Sequence, residues 1–149
     1  MRWDCPVVDM TTDGFLERVT SIARLYDLRA SATRWLIDAG VAVEAIEAVV
    51  LVLSETCTNA FTHGRADGVD VEMTIDNVDH SGAKITMWMC HDDHDASALS
   101  VPTTMPPPQA QFGRGLALVE RLVDGMTLSI DPPRVVRQCW LRADGTAGG

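Results

Sequence analysis

The stretch Leu51-Val52-Leu53-Ser54-Glu55-Thr56-Cys57-Thr58-Asn59-Ala60-Phe61-Thr62-His63-Gly64 decides how this chain is read. It closes a run over positions 43–63 in which Ala45, Ile46, Val49, Val50, Val52, Leu53, Cys57, Ala60 and Phe61 recur at helical spacing, with Gly64 as the stop. A helix apolar on more than one face is expected to be buried, so Glu55 and Asn59 need a reason to be there. Four residues apart, they stand one turn from each other on the same side and can address one small volume. A carboxylate beside an amide suits a site where the amide oxygen meets a hard cation and the carboxylate takes a proton. The same pair also serves simply to cap or bridge neighbouring loops.

On the N-terminal side, Asp27 is the expected N-cap of a helix through position 39, in which Leu28, Ala32, Trp35, Leu36 and Ala39 recur at helical spacing and Gly40 ends the run. Residues 1–15 read as an irregular arm, and 16–23 offer a first strand. On the C-terminal side, 69–75 and 83–90 alternate apolar and polar around the turn Asp79-His80-Ser81-Gly82, the pattern of an antiparallel hairpin. Positions 91–112 hold His91-Asp92-Asp93-His94-Asp95 and Pro106-Pro107-Pro108 with little sign of regular structure; loops of that length inside a domain are usually functional or disordered. Gly113-Arg114-Gly115 then opens a helix through position 124, and strands at 126–130 and 135–141 flank Asp131-Pro132-Pro133. Residues 143–149 form a Gly-rich tail. Two strand pairs with three helices imply an α+β domain over 16–142: two layers, with the helices on one face of a sheet.

The 149 residues, 46% of them apolar, suffice for one core and not for two ordinary domains. A net charge of −9 with scattered Lys and Arg sets the chain against a phosphate backbone and excludes direct nucleic-acid binding as the leading expectation. A nucleotide that brings its own magnesium ion is a different matter. Cys5, Cys57, Cys90 and Cys139 are far apart, with no C-x-x-C pair, and read as reduced core thiols. With no signal pattern and no apolar run of membrane-spanning length, the expected place is the cytoplasm, without membrane contact. Met87, Met89, Met126, Trp35 and Trp140 read as packing residues.

Two further groups bear on chemistry. The glycines of Gly113-Arg114-Gly115 allow backbone N–H groups to approach an anion at a helix N-terminus, although a G-x-G also serves as a plain turn into a helix. In the run from His91 to Asp95, an aspartate at a strand end can accept a hydrogen bond from an exocyclic amine. Its imidazoles and carboxylates can equally ligate a transition metal, or the segment can be a solvated loop.

In this order, LVLSETCTNAFTHG and FGRGLALVERLVD (residues 112–124) resemble the N box and second glycine box of the GHKL ATPases, most closely the stand-alone anti-sigma regulatory factors with serine/threonine kinase activity. The resemblance spans residues 16–142. It implies the Bergerat ATP-binding fold, a two-layer sandwich with a mixed, mostly antiparallel sheet, and ATP with magnesium as ligands. It further implies that Asn59 holds magnesium, that Glu55 polarises the hydroxyl of a protein substrate, and that His63 lies near the nucleotide. Asp92 would take the adenine-reading place, and Gly113, Arg114, Gly115 and Leu116 would begin the phosphate-binding helix beneath a lid of residues 95–112. The implied partners are an anti-anti-sigma protein of the STAS type and a sigma factor, with a homodimer as a further expectation.

Two departures from the family pattern stand out. His94 occupies a place usually given to glycine or serine, where its ring would crowd the base. Gln111 replaces an arginine common in the kinases, removing a positive charge from the γ-phosphate unless Arg114 substitutes. They motivate an alternative, a GHKL-fold binding module that regulates a partner by docking without phosphorylation. A metal-dependent hydrolase built on residues 91–95 is a third reading.

Overall fold

The computed structural model describes residues 14–62, 66–77, 82–92, 114–131 and 133–143. The elements run β1 (Phe15–Val19), a 3-10 turn (Ile22–Arg24), α1 (Leu25–Asp38), α2 (Val43–Thr62), β2 (Val69–Asn77), β3 (Ala83–Asp92), α3 (Arg114–Leu122), β4 (Gly125–Asp131) and β5 (Arg134–Ala143). The strands form one sheet in the order β1-β2-β3-β5-β4. Every pairing among the described residues is antiparallel, in keeping with the mostly antiparallel sheet that the family likeness implies, and no parallel pair occurs among them.

Strand alternation divides the sheet cleanly. Val69, Val71 and Met73 of β2, Ile85, Met87 and Met89 of β3, and Cys139, Leu141 and Ala143 of β5 share one core with Leu28, Ala32 and Leu36 of α1, Val49, Val52, Leu53, Cys57 and Ala60 of α2, and Val119 of α3. Burying one such Leu, Ile or Met side chain contributes about 2 kcal/mol, and this layer buries many. On the opposite face a smaller cluster joins Trp88, Cys90 and Val136, and Glu72, Thr74 and Thr86 are also buried there. Strands β2 and β3 are therefore enclosed on both sides, which blurs the alternation a half-exposed strand would show.

Several local expectations shift. The first strand begins at Phe15 and ends at Val19, in register with Met73 through Val69, and the 3-10 turn takes up the rest of the stretch assigned to it. Helix α1 starts at Leu25, because the preceding turn already supplies its first bonded carbonyls. Asp27 thus lies in the first turn, paired with Arg24 at 3.3 Å, and does not cap. Its C-terminus follows the sequence: Gly40 at φ 82° lets its own N–H reach the Ile37 carbonyl at 2.9 Å, and that of Val41 reach Leu36 at 3.1 Å, a Schellman closure. Strand β3 continues two residues beyond the expected end, since His91 and Asp92 stay in register with Val135 and Arg134.

Helix α2 departs most from expectation. It has the length and mean hydropathy (1.2 over 18 residues) of a membrane span, yet it is the core helix of the domain and only 39% of that window is buried. Val43 (65% exposed) and Leu51 (39%) stand outside the core, so apolar content here exceeds what the core consumes.

The cysteines divide. Cys57 and Cys139 are free and buried, with burial pushing their thiols up to about 12 and about 11. Cys90 is disulfide-bonded, contrary to the reading of reduced thiols, and its partner lies outside the described residues. An unfolded thiol ionises near 9 while these two remain protonated, so their contribution to stability is intact below pH 9 and is lost as pH rises toward 11–12. Urea melts should accordingly show a falling midpoint only on the alkaline side of pH 9, and a midpoint constant from pH 8 to pH 11 would contradict the assignment.

Gly125 faces its ladder partner Trp140, and a Cβ at this position would stand 2.0 Å from the indole Cζ2. The ring lies over bare backbone, with the Lys84 ammonium 5.5 Å from its centroid. Gly125→Ala is expected to displace the indole and cost about 1–3 kcal/mol. Chemical denaturation reads this as a lower midpoint at unchanged slope, and an unshifted midpoint would show that the ring moves freely.

Candidate functional site

Glu55 and Asn59 sit on the flank of α2, because the helix turns Val49, Val52, Leu53, Thr56, Cys57 and Ala60 into the protein. Both are half-buried, more open than the sequence suggested. The Asn59 amide nitrogen donates to the Glu55 backbone carbonyl at 2.8 Å. That carbonyl can only accept, so the bond fixes the amide orientation and leaves Oδ1 as the outward acceptor, an oxygen suited to a hard cation. Next to them Ser54 returns its hydroxyl to the Val50 carbonyl at 2.8 Å, and the buried Thr56 hydroxyl has no hydrogen-bond partner.

Helix α2 packs directly against α3, whose first residues are Arg114, Gly115 and Leu116. The structure thus sets the two elements that carry the sequence motifs side by side. The rear of α3 is anchored: the Asp124 N–H donates to the Trp140 carbonyl at 2.8 Å, and its carboxylate accepts from the Arg142 N–H at 2.7 Å. His63, Gly113 and the span proposed as a lid lie outside the described residues.

Asp92 is placed differently from the other candidates. By alternation along β3, His91 shares the inner face with Met87 and Met89, whereas Asp92 shares the outer face with Trp88 and Cys90. There it pairs with Arg134 at 3.4 Å. The sheet therefore stands between the Asp92 carboxylate and α2, and the structure does not bring Asp92 together with Glu55 and Asn59. The sequence reading ended the strand before this residue and so left its face undetermined. Among the described residues no cluster of His, Cys, Asp and Glu is arranged to hold a metal ion.

Arg137 was not singled out in the sequence. It lies on the inner face of β5, across from Met89 and Leu128, 4% exposed, with its Nη1 buried and without a hydrogen-bond partner. Burial pulls the guanidinium below its ordinary value, an effect the neighbouring Cys139 thiol opposes. The signal was available: in the alternation of β5, an arginine falls where Val135, Cys139 and Leu141 mark the core face. Arg137→Met keeps the volume and removes the stranded donor, and should stabilise the free protein by on the order of 1–3 kcal/mol. A lower melting temperature for the variant would show that the guanidinium is well satisfied.

Comparison with known proteins fits this geometry. Residues 19–140 match the Histidine kinase-like ATPase domain, and the chain belongs to that family. It is similar in structure to the RsbU and RsbW domains of Rv1364c from Mycobacterium tuberculosis (19% identity, TM-score 0.60), covering 88% of this chain and 32% of that one. It is also similar to a chain of the SiaB–SiaC complex from Pseudomonas aeruginosa (12% identity, TM-score 0.55), covering 85% of this chain and 88% of the other. At such identities the likeness shows the shared fold. The present chain thus spans about a third of the Mycobacterium chain's length. No curated protein matches. The family is one of ATPase domains, and ATP is the nucleotide that goes with it.

Proposed function

We propose that this domain is an ATP-binding anti-sigma regulatory factor, a serine/threonine-protein kinase that switches between an anti-anti-sigma protein of the STAS type and a sigma factor in the cytoplasm. The observation that carries the reading is the Glu55–Asn59 pair, one turn apart on α2, a helix that packs against α3, in a chain whose ATPase-domain match covers residues 19–140. Support for a protein partner comes from the neighbours, an RsbW domain and a chain crystallised as a SiaB–SiaC complex.

In this proposal Asn59 Oδ1 holds magnesium, and the ion when bound neutralises the charge of the ATP phosphates. Arg114, Gly115 and Leu116 open α3, whose first backbone N–H groups and dipole favour an anion. Gly113 and His63 complete the assignment from the sequence motifs. Glu55, half-buried and one turn from Asn59, accepts the proton of the attacking hydroxyl. Such transfer depends on positioning and charge stabilisation more than on covalent chemistry. The adenine-reading role carried by the family likeness to Asp92 gains no support from its ion pair with Arg134 on the outer face.

A second reading, the binding module that docks without phosphorylating, is favoured by Gln111 and His94. Titration with Mg·ATP followed by incubation with a STAS-type protein and labelled ATP separates the two. Asn59→Ala is expected to remove magnesium-dependent affinity while the fold stays cooperative. Glu55→Ala should retain the nucleotide and lower transfer at least a hundredfold, in the range of general-base catalysis of about 10²–10⁴. Unchanged affinity in the first variant or unchanged turnover in the second removes the corresponding role, and binding without transfer by the parent chain selects the docking module.

A further inference from the structure

The outer face of the sheet is buried, yet none of the described helices lies over it. Three outward rungs of the β2–β3 ladder follow one another, Asp70 with Cys90, Glu72 with Trp88 and Thr74 with Thr86, and none of these six residues is more than 8% exposed. Helices α1, α2 and α3 all contribute to the core on the opposite face. On either side the burial fades: Leu16 of β1 is 47% exposed, and Val136 and Gln138 of β5 are half-buried. The protected strip is thus two strands wide and about 14 Å long, the footprint of one extended segment lying along it.

A covalent bond identifies that segment. Cys90 closes one end of the strip and is disulfide-bonded. Of the four cysteines, Cys57 and Cys139 are free, which leaves Cys5 as its partner. The path of the chain agrees. Phe15 is paired with Met73, so the residues that precede β1 arrive at the Thr74 end of the strip, away from Cys90. From there Cys90 lies about 10 Å across two strands and about 14 Å along them, and the nine residue steps from Cys5 to Gly14 span about 30 Å when extended. The same steps include Val7, Val8 and Met10, apolar bulk to set against Trp88 and Val136.

We propose that a Cys5–Cys90 disulfide straps residues 5–13 along the outer face of β2 and β3, and that its reduction by a dithiol releases the strap and bares the strip. In the cytoplasm, the compartment proposed above, the disulfides that form are chiefly transient or redox-sensing. Cys90 is fully buried, so the attacking thiolate meets the Cys5 sulfur. The S–S bond breaks with its electron pair leaving on Cys90, which takes up a proton. The reductant's second thiolate then displaces Cys5, which is protonated in turn, and closes the reductant's own disulfide; two electrons and two protons pass to the protein. Glutathione disulfide reverses the exchange. The strap lies across the sheet from Glu55 and Asn59 and needs no nucleotide.

The test uses the full chain. After equilibration with glutathione disulfide, alkylation and digestion without reductant should yield a linked peptide joining Cys5 to Cys90, from protein that migrates as a single chain. After dithiothreitol, iodoacetamide should modify Cys90 in the native protein at least about tenfold faster than Cys57 and Cys139, whose thiols stay enclosed in the inner core. Cys5→Ser should show the same Cys90 reactivity with no reductant present. Circular-dichroism melts check that the variant folds, and if it does not, the reduced parent decides. Absence of the linked peptide, a link between two chains, or a Cys90 as slow as Cys57 in the reduced parent would overturn the proposal, the last by showing that another segment covers the strip. Failure of the chain to bind ATP would fall on the kinase reading alone, since neither measurement involves nucleotide.

Discussion

The inner row of α2, pressed onto the paired floor of β2 and β3, sets the rest of the molecule. Val49, Val52, Leu53, Cys57 and Ala60 can all meet Val71, Met73, Ile85 and Met87 only in one rotational setting of the helix. That setting carries Glu55 and Asn59 to the flank and leaves Val43 and Leu51 outside. The hydrogen bond from Asn59 to the Glu55 carbonyl then turns a loose amide into a directed oxygen. Polar groups in such positions hold their geometry because the apolar row behind them cannot rotate without exposing the core.

The sequence made much of this legible, and the failures share a physical cause. Helical periodicity located α2 and the stop of α1 at Gly40, because side chains and glycine φ leave direct marks on residue type. The helix start at Leu25 and the end of β3 left weaker marks. The first depends on a 3-10 turn with no side-chain cap, and the second on register with β5, a partner more than forty residues away. The face on which Asp92 falls follows from that register, so no local window could have assigned it. Glu55 and Asn59 could be paired from the sequence because helix geometry alone relates them; Arg137 was passed over because its strangeness appears only when β5 is known to bury that face.

Enclosure of β2 and β3 on both sides raises the cost of polar groups throughout the central sheet. Arg137 lies on the inner face and Glu72 on the outer, both nearly inaccessible to water. A low-dielectric surrounding strengthens whatever interactions such groups make and penalises those they lack. The central strands are therefore where electrostatics and packing are most tightly coupled, whereas the outward faces of α1 and α2 are free to vary in shape and charge without disturbing the core.

Asp124 closes the account of α3. With its amide on the Trp140 carbonyl and its carboxylate on the Arg142 amide, it ties the exit of the helix to the neighbouring strand at two points. A rod pinned at its heel can tilt only by swinging its toe. A tilt of α3 about these two bonds would displace Arg114, the end proposed to meet the phosphates, more than the residues near the sheet.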